Sequence, residues 1–145
     1  MKITIKTKGR QRIAPELVMS LFRGADQLKE HIAIEALVGG YAEVEHFDNL
    51  LTAIHILRFG AALKRNRDAE GMGKLAEIAM ENILARRETT KKFGASGDEL
   101  KALRAFKDFE ESWWKLQGGS TRTAAVASVN SWHNSIKRSR AKVAA

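Results

Sequence analysis

The amino-acid sequence predicts an all-α fold, a compact bundle of four to five helices with basic N- and C-terminal tails. Apolar residues recur at helical spacing through most of the chain. Paired glycines or a capping motif separate the helical stretches. Cysteine is absent, so the fold depends on a hydrophobic core without disulfides or thiolate-bound metal.

The stretch 44–66 is the predicted central helix of the bundle. In its second half, Ile56, Phe59 and Leu63 form an apolar face opposite the main stripe. A helix that is apolar on two sides packs between other helices. The main stripe comprises Phe47, Leu50, Leu51, Ile54, Leu57, Ala61 and Ala62.

Four further helices are predicted around this one. The first runs over 15–38, with Pro15 in its first turn. A connection over 66–73, with Asp68 as candidate N-cap, precedes a third helix over about 72–92, whose predicted stripe includes Leu75 and Leu84. Ser96 and Glu99 have the spacing of a capping box, which starts the fourth helix. The last stretch predicts an amphipathic fifth helix that frays beyond Lys137.

The net charge of +8 is concentrated at the two ends of the chain. We divide the sequence into a basic N-terminal arm (1–12), a helical bundle (13–119) and a basic amphipathic C-terminal helix or tail (120–145). Each end carries five cations and no acid. Such ends indicate a polyanionic partner such as nucleic acid, or serve solubility alone. These cations are Lys2, Lys6, Lys8, Arg10 and Arg12, and Arg122, Lys137, Arg138, Arg140 and Lys142.

The N-terminal arm also carries a short alternating pattern. Ile3 and Ile5 alternate with polar residues, which is typical of a single β-strand that pairs with a partner. A disordered basic arm explains the same residues.

The run from Gly94, Gly-Ala-Ser-Gly-Asp-Glu-Leu-Lys-Ala-Leu-Arg-Ala, follows the end of a helix. It resembles the C-terminal half of small all-helical accessory proteins encoded by phages, prophages and plasmids of proteobacteria. The resemblance covers roughly helices two to four and excludes the basic tails. It implies a mobile-element origin and a role in manipulating a host process, and it offers no catalytic residue to transfer.

Catalytic and metal-binding patterns are weak. Glu43 and His46 form one E-x-x-H, but a di-iron bundle needs two such pairs, so we expect no metal or cofactor. The remaining histidines have no catalytic pattern around them, and the chain has no phosphate-binding loop, so we expect no enzyme. A helix-turn-helix near Ala69 is disfavoured, because Glu77 and Glu81 would face the DNA phosphates.

Two tryptophans and one arginine are candidates for interaction. Trp114 has polar helical neighbours, so we expect an exposed interface anchor, or a residue that covers the fifth helix or the edge of the bundle. Trp132 becomes core if the tail docks, and part of a basic, aromatic binding element if the tail is free. Arg58 lies within the central apolar stripe, so it must form an ion pair or extend to solvent.

These patterns favour a non-catalytic binding protein. The leading hypothesis is an accessory factor that binds and inhibits or remodels a host protein or nucleoprotein complex, as an anti-CRISPR protein does. The alternative is direct, sequence-tolerant binding of nucleic acid. The sequence has no secretion signal and no apolar run that spans a membrane, which favours the bacterial cytoplasm. The predicted partner-binding residues are Trp114, Trp132, Lys2, Lys6, Arg10, Arg12, Lys137, Arg138 and Arg140.

Overall fold

Five helices build the part of the chain that the structure, a computed structural model, describes, namely the backbone of residues 15–144 and the side chains of residues 27–143. The helices are α1 (Pro15–Gly39), α2 (Val44–Lys64), α3 (Arg67–Thr90), α4 (Gly97–Lys115) and α5 (Gly119–Ala144). Within this part there is no strand beyond one isolated bridge between Ala42 and Phe93. The predicted all-α bundle is therefore confirmed. The predicted roles of Lys2, Ile3, Ile5, Lys6, Arg10 and Arg12 lie outside the described residues.

The central position predicted for the second helix is confirmed. Helix α2 packs against α1, α3 and α5, and it buries Leu57 on one side and Ile56 on another. Gly60 is also buried, because the tryptophans of α4 lie directly against it. Leu63 is an exception to the predicted second face: its side chain is 54% exposed, one residue before the helix ends at Lys64. The largest fully buried side chains are Leu50, Ile54, Leu57, Met80, Ile83, Leu103, Phe106 and Val129.

Helix α3 begins earlier than predicted. Its N-cap is Asn66, whose side-chain oxygen accepts a hydrogen bond from the amide of Ala69 at 3.0 Å. The predicted connection over 66–73 is therefore wrong, and Asp68 lies inside the first helical turn. The cap supplies an acceptor to an otherwise unpaired amide, which offsets the low helix propensity of the glycines that follow.

Four of the seven residues of the predicted stripe of α3 are buried, namely Ala76, Ala79, Met80 and Ile83, and Met72 is partly buried. Leu75 and Leu84 are 60% and 42% exposed, although both belong to the predicted stripe. The buried face consists of Ala69, Gly73, Ala76, Ala79, Met80 and Ile83. Small residues bring α3 close to α2: a Cβ atom on Gly73 would lie 2.6 Å from Cγ of Arg58.

The capping box at the start of α4 is confirmed. The Ser96 hydroxyl accepts a hydrogen bond from the Glu99 amide at 3.2 Å, and the Glu99 carboxylate accepts one from the Ser96 amide at 2.8 Å. Arg86 of α3 donates two hydrogen bonds to the same carboxylate, at 2.9 and 2.8 Å, and a third to the Gly94 carbonyl. The Arg86 guanidinium holds the pKa of Glu99 below its usual range. This cluster fixes the α3–α4 connection.

We expect Ser96→Ala to lower the free energy of unfolding by about 1 kcal/mol, since the Glu99 amide loses its acceptor. Urea unfolding followed by circular dichroism measures this change. Ser96→Thr keeps the hydroxyl and serves as the control. Equal stability of the alanine and threonine variants would show that the cap contributes nothing.

Helix α5 crosses the outer face of α2. Arg122, near the start of α5, lies beside α1 and the first half of α2. Trp132, ten residues later in α5, lies beside α3 and the second half of α2. Ala125 and Val129 between them are fully buried. The helix does not fray beyond Lys137 as predicted but continues to Ala144. No helix in the described part of the chain is long and apolar enough to cross a membrane.

Candidate functional site

Trp114 is buried, so the prediction of an exposed interface anchor is wrong for this residue, whereas the alternative, that it covers the fifth helix, agrees with its contact with Arg122 of α5. Its side chain is 2% exposed and packs edge-on against Trp113, with ring centroids 4.7 Å apart. The Arg122 guanidinium carbon lies 5.1 Å from the centre of its ring. The polar neighbour Glu110 is itself buried, so polar residues around Trp114 in the sequence did not indicate contact with solvent.

A buried polar cluster underlies this region. Glu30 of α1, Glu110 of α4 and Arg122 of α5 are 3%, 2% and 6% exposed. Burial raises the pKa of Glu110 well above its ordinary value, and the hydrogen bond with Glu30 acts in the same direction, while the Arg122 charge opposes both. Two adjacent carboxyl groups away from water share one proton, and Arg122 balances the remaining negative charge. The cluster joins three helices and forms part of the core.

The candidate functional site is an open cleft between α2, α3 and α5, which we call the α2–α3–α5 cleft. Its volume is about 350 Å³, which is at the small end of the range for ligand pockets. The lining residues are His55, Arg58, Phe59, Ala62, Glu70, Glu77 and Trp132. It thus combines ionic groups with aromatic walls.

An ion-pair network forms the floor of the cleft. Arg58 donates hydrogen bonds from Nε and one terminal nitrogen to Glu70 Oε1, at 3.0 and 2.7 Å, and from the other terminal nitrogen to Glu77 Oε2. Both carboxylates raise the pKa of Arg58, which stays charged. The predicted ion-paired arginine is therefore confirmed. Gly73 makes this placement possible, because a larger residue would meet the arginine stem.

His55 and Trp132 form the wall of the cleft. Their rings meet edge-on with centroids 4.9 Å apart, and Phe59 lies 6.3 Å from Trp132. Burial lowers the pKa of His55, although the charge of Glu77 opposes the shift, so the imidazole is neutral at pH 7. The Trp132 side chain remains 41% exposed. Both expectations for Trp132 therefore hold in part: it docks on α2, and it keeps a free surface.

The end of α5 is a second surface of interest. Every side chain from Lys137 to Val143 is exposed, and the segment contains Lys137, Arg138, Arg140 and Lys142. No acidic residue follows Glu111 in the sequence. The structure therefore places three predicted binding residues, Lys137, Arg138 and Arg140, on one projecting helical end, apart from the buried Trp114.

The E-x-x-H pair has a local role in the structure. The His46 Nδ1 atom accepts a hydrogen bond from the Glu43 amide at 2.9 Å, at the N-terminus of α2. This satisfies one of the unpaired amides at a helix start. Among the described residues, no group of three potential metal ligands is found.

Sequence reasoning missed the ionic partners of both clusters. Glu30, Glu110 and Arg122 each lie one helical turn from buried apolar residues of their own helix, which is a signal that they share its buried face. Glu70 and Glu77 are two turns apart on α3 and hence point the same way. No such local pattern shows that they meet Arg58, because that contact depends on how closely α3 approaches α2.

Comparisons with protein-family models, with curated proteins and with solved structures found no match for this chain. The class that the fold defines is an all-α helical bundle.

Proposed function

We propose that this protein is a non-catalytic binding protein of a phage or other mobile element, which docks on a host protein or nucleoprotein complex in the bacterial cytoplasm and blocks or remodels it. Inhibition of a nucleic-acid-handling defence system, in the manner of anti-CRISPR proteins, fits this description. The mobile-element origin rests on the resemblance of the 94–105 region. The end of α5, at residues 137–143, is the observation that carries the contact with nucleic acid.

The chemistry of this end supports a polyanionic ligand. Four cations lie within six residues, all exposed, with no acid to neutralise them. Such a helix gains affinity by releasing the counterions condensed on nucleic acid, independently of base sequence. The absence of acids also distinguishes it from the surfaces of α3 and α4, where acids and bases are mixed.

We expect binding to random-sequence DNA and RNA at 50 mM salt that weakens by about 100-fold at 200 mM, as four phosphate contacts imply. Replacing Lys137, Arg138, Arg140 and Lys142 with glutamine should lower affinity at low salt by at least about 10-fold. Fluorescence anisotropy with labelled oligonucleotides measures both effects.

The matched control removes four exposed cations from the region where α3 ends and α4 begins: Lys91, Lys92, Lys101 and Arg104 to glutamine. Because both variants lose the same net charge, only a local contact separates them. Equal losses in the two variants, or no binding at 50 mM salt, would contradict the assignment to α5.

The second candidate function is direct, sequence-tolerant binding of free nucleic acid, and the same projecting end of α5 favours it. Binding that stays tight at 150 mM salt without a protein partner would support this function. Weak binding of free nucleic acid, together with salt-resistant binding to a nucleoprotein complex, would support the first.

A further inference from the structure

The α2–α3–α5 cleft has the opposite charge from the end of α5. Its floor contains one cation, Arg58, and two carboxylates, Glu70 and Glu77. His55 is neutral at pH 7 for the reason given above. The cleft therefore carries a net charge of about −1 in a protein whose net charge is +8. At physiological salt, the repulsion from solvated cations more than about 8 Å away is largely screened. The charges that directly contact a ligand in the cleft therefore decide which ligand binds.

The free groups of the cleft accept hydrogen bonds or attract cations. Arg58 uses Glu70 Oε1 twice but makes no bond to Glu70 Oε2. The Nε2 atom of His55 lies 3.9 Å from Glu77 Oε1, and its buried Nδ1 has no hydrogen-bond partner among the described residues. Because Nδ1 is buried, the acceptor left open to a ligand is Glu70 Oε2, beside the negative charge of Glu77. A ligand rich in donors suits this set.

The aromatic wall selects the same chemistry. The indole face of a tryptophan carries negative potential and attracts a cation that lies within about 6 Å of the ring centre. Trp132 is 41% exposed and lies beside Phe59, so it offers both a π-face and an apolar surface for a short aliphatic stem. The side chains of arginine and lysine meet these requirements, because each has an apolar stem and ends in a positively charged group that only donates hydrogen bonds.

We propose that the α2–α3–α5 cleft binds an arginine or lysine side chain presented by a protein partner, with the cationic head between Glu70, Glu77 and Trp132. Charge complementarity selects this occupant. A protein that holds nucleic acid displays basic side chains, so one partner can satisfy both the cleft and the end of α5. The choice of a nucleic-acid-holding protein as the partner rests on the proposed function, whereas the binding of a basic side chain in the cleft does not depend on nucleic-acid binding.

The test is a titration of the ¹⁵N-labelled full-length chain with N-acetyl-arginine amide, followed by NMR. N-acetyl-citrulline amide is the control ligand, since it has nearly the same shape and no charge. We expect a saturable shift of the Trp132 indole resonance with the arginine probe, and at least 10-fold weaker binding of the citrulline probe. Equal affinities for the two probes, or no saturable shift with the arginine probe, would overturn the proposal.

Variants locate the site. Glu70→Gln and Trp132→Leu should each weaken the arginine probe at least 5-fold, whereas Glu81→Gln, an exposed carboxylate elsewhere on α3, should not. The Trp132→Leu variant has no Trp132 indole resonance, so its binding of the probe is followed by the shift of the backbone amide resonance of Ala62, which lines the cleft. Equal weakening by Glu81→Gln would overturn the placement in the cleft. Tighter binding of free ethylguanidinium than of the capped arginine would identify a small-molecule site and overturn the protein partner.

The two proposals fail independently. The glutamine variant of Lys137, Arg138, Arg140 and Lys142 should bind the arginine probe at least as tightly as the wild-type chain, because it loses only repulsive charge. If this variant loses DNA binding but still binds the arginine probe, the proposal for the cleft stands independently of the proposal for the end of α5.

Discussion

Trp114→Ala is expected to lower the free energy of unfolding by about 3–5 kcal/mol, which is the range for removing a buried tryptophan. For a chain of this size the midpoint of thermal unfolding should fall by on the order of 10 °C. The indole fills the space between α2 and α4: a Cβ atom on Gly60 would lie 2.5 Å from its outermost ring carbon. Truncation leaves a cavity there and also removes the ring beneath Arg122.

Trp132→Ala is the matched control for this variant. It removes the same side chain from a position that is 41% exposed, so its cost should be less than half as large. Thermal unfolding followed by far-UV circular dichroism compares the two without relying on tryptophan fluorescence. If Trp114→Ala kept full stability but lost partner binding, Trp114 would be an interface anchor after all.

Much of the fold follows from local patterns in the sequence. The period of apolar residues in 44–66 predicted a helix in the centre of the bundle, because burial on two sides leaves two apolar faces. The Ser96 capping box marked the start of α4, since both of its hydrogen bonds lie within four residues. The start of α3 was missed because Asn66 and Asp68 are equally good caps by residue type. Only the packing of Ala69 and Gly73 against α2 decides between them.

The candidate site was predicted less completely. Arg58 stood out because a cation in an apolar stripe needs a partner, but the identity of that partner depends on a neighbouring helix. Trp132 was ambiguous for a related reason, because its environment depends on how α5 crosses α2. Contacts between helices that are distant in the sequence produce no periodic pattern of apolar residues within either helix, so the sequence does not reveal them.

The buried cluster of Glu30, Glu110 and Arg122 provides the second large effect. Arg122→Met is expected to destabilise the fold by about 3–5 kcal/mol at pH 7, since it removes the cation that balances a buried carboxyl pair. Methionine keeps the apolar stem and much of the contact with Trp114, so the loss reports the charge more than the packing. Urea unfolding at pH 7 measures it.

The pH dependence identifies the cause of this loss. The pKa of Glu110 is raised in the folded chain, so the stabilisation from its protonated form is complete below the unfolded value near 4.5 and is lost as pH rises through the folded value. Without Arg122 the folded pKa rises further. Arg122→Met should therefore cost less at pH 5 than at pH 8.

Glu110→Gln mimics the protonated carboxyl group and should restore part of the stability of Arg122→Met at pH 7 and above, because the buried pair no longer has to take up a proton on folding. In the otherwise wild-type chain, the same substitution should become more favourable as pH rises from about 5 to 8. A Glu111→Gln control changes an adjacent, partly exposed carboxylate and should not restore stability. If the double variant were no more stable than Arg122→Met at any pH, the loss would come from packing. The shared-proton description of the cluster would then be wrong.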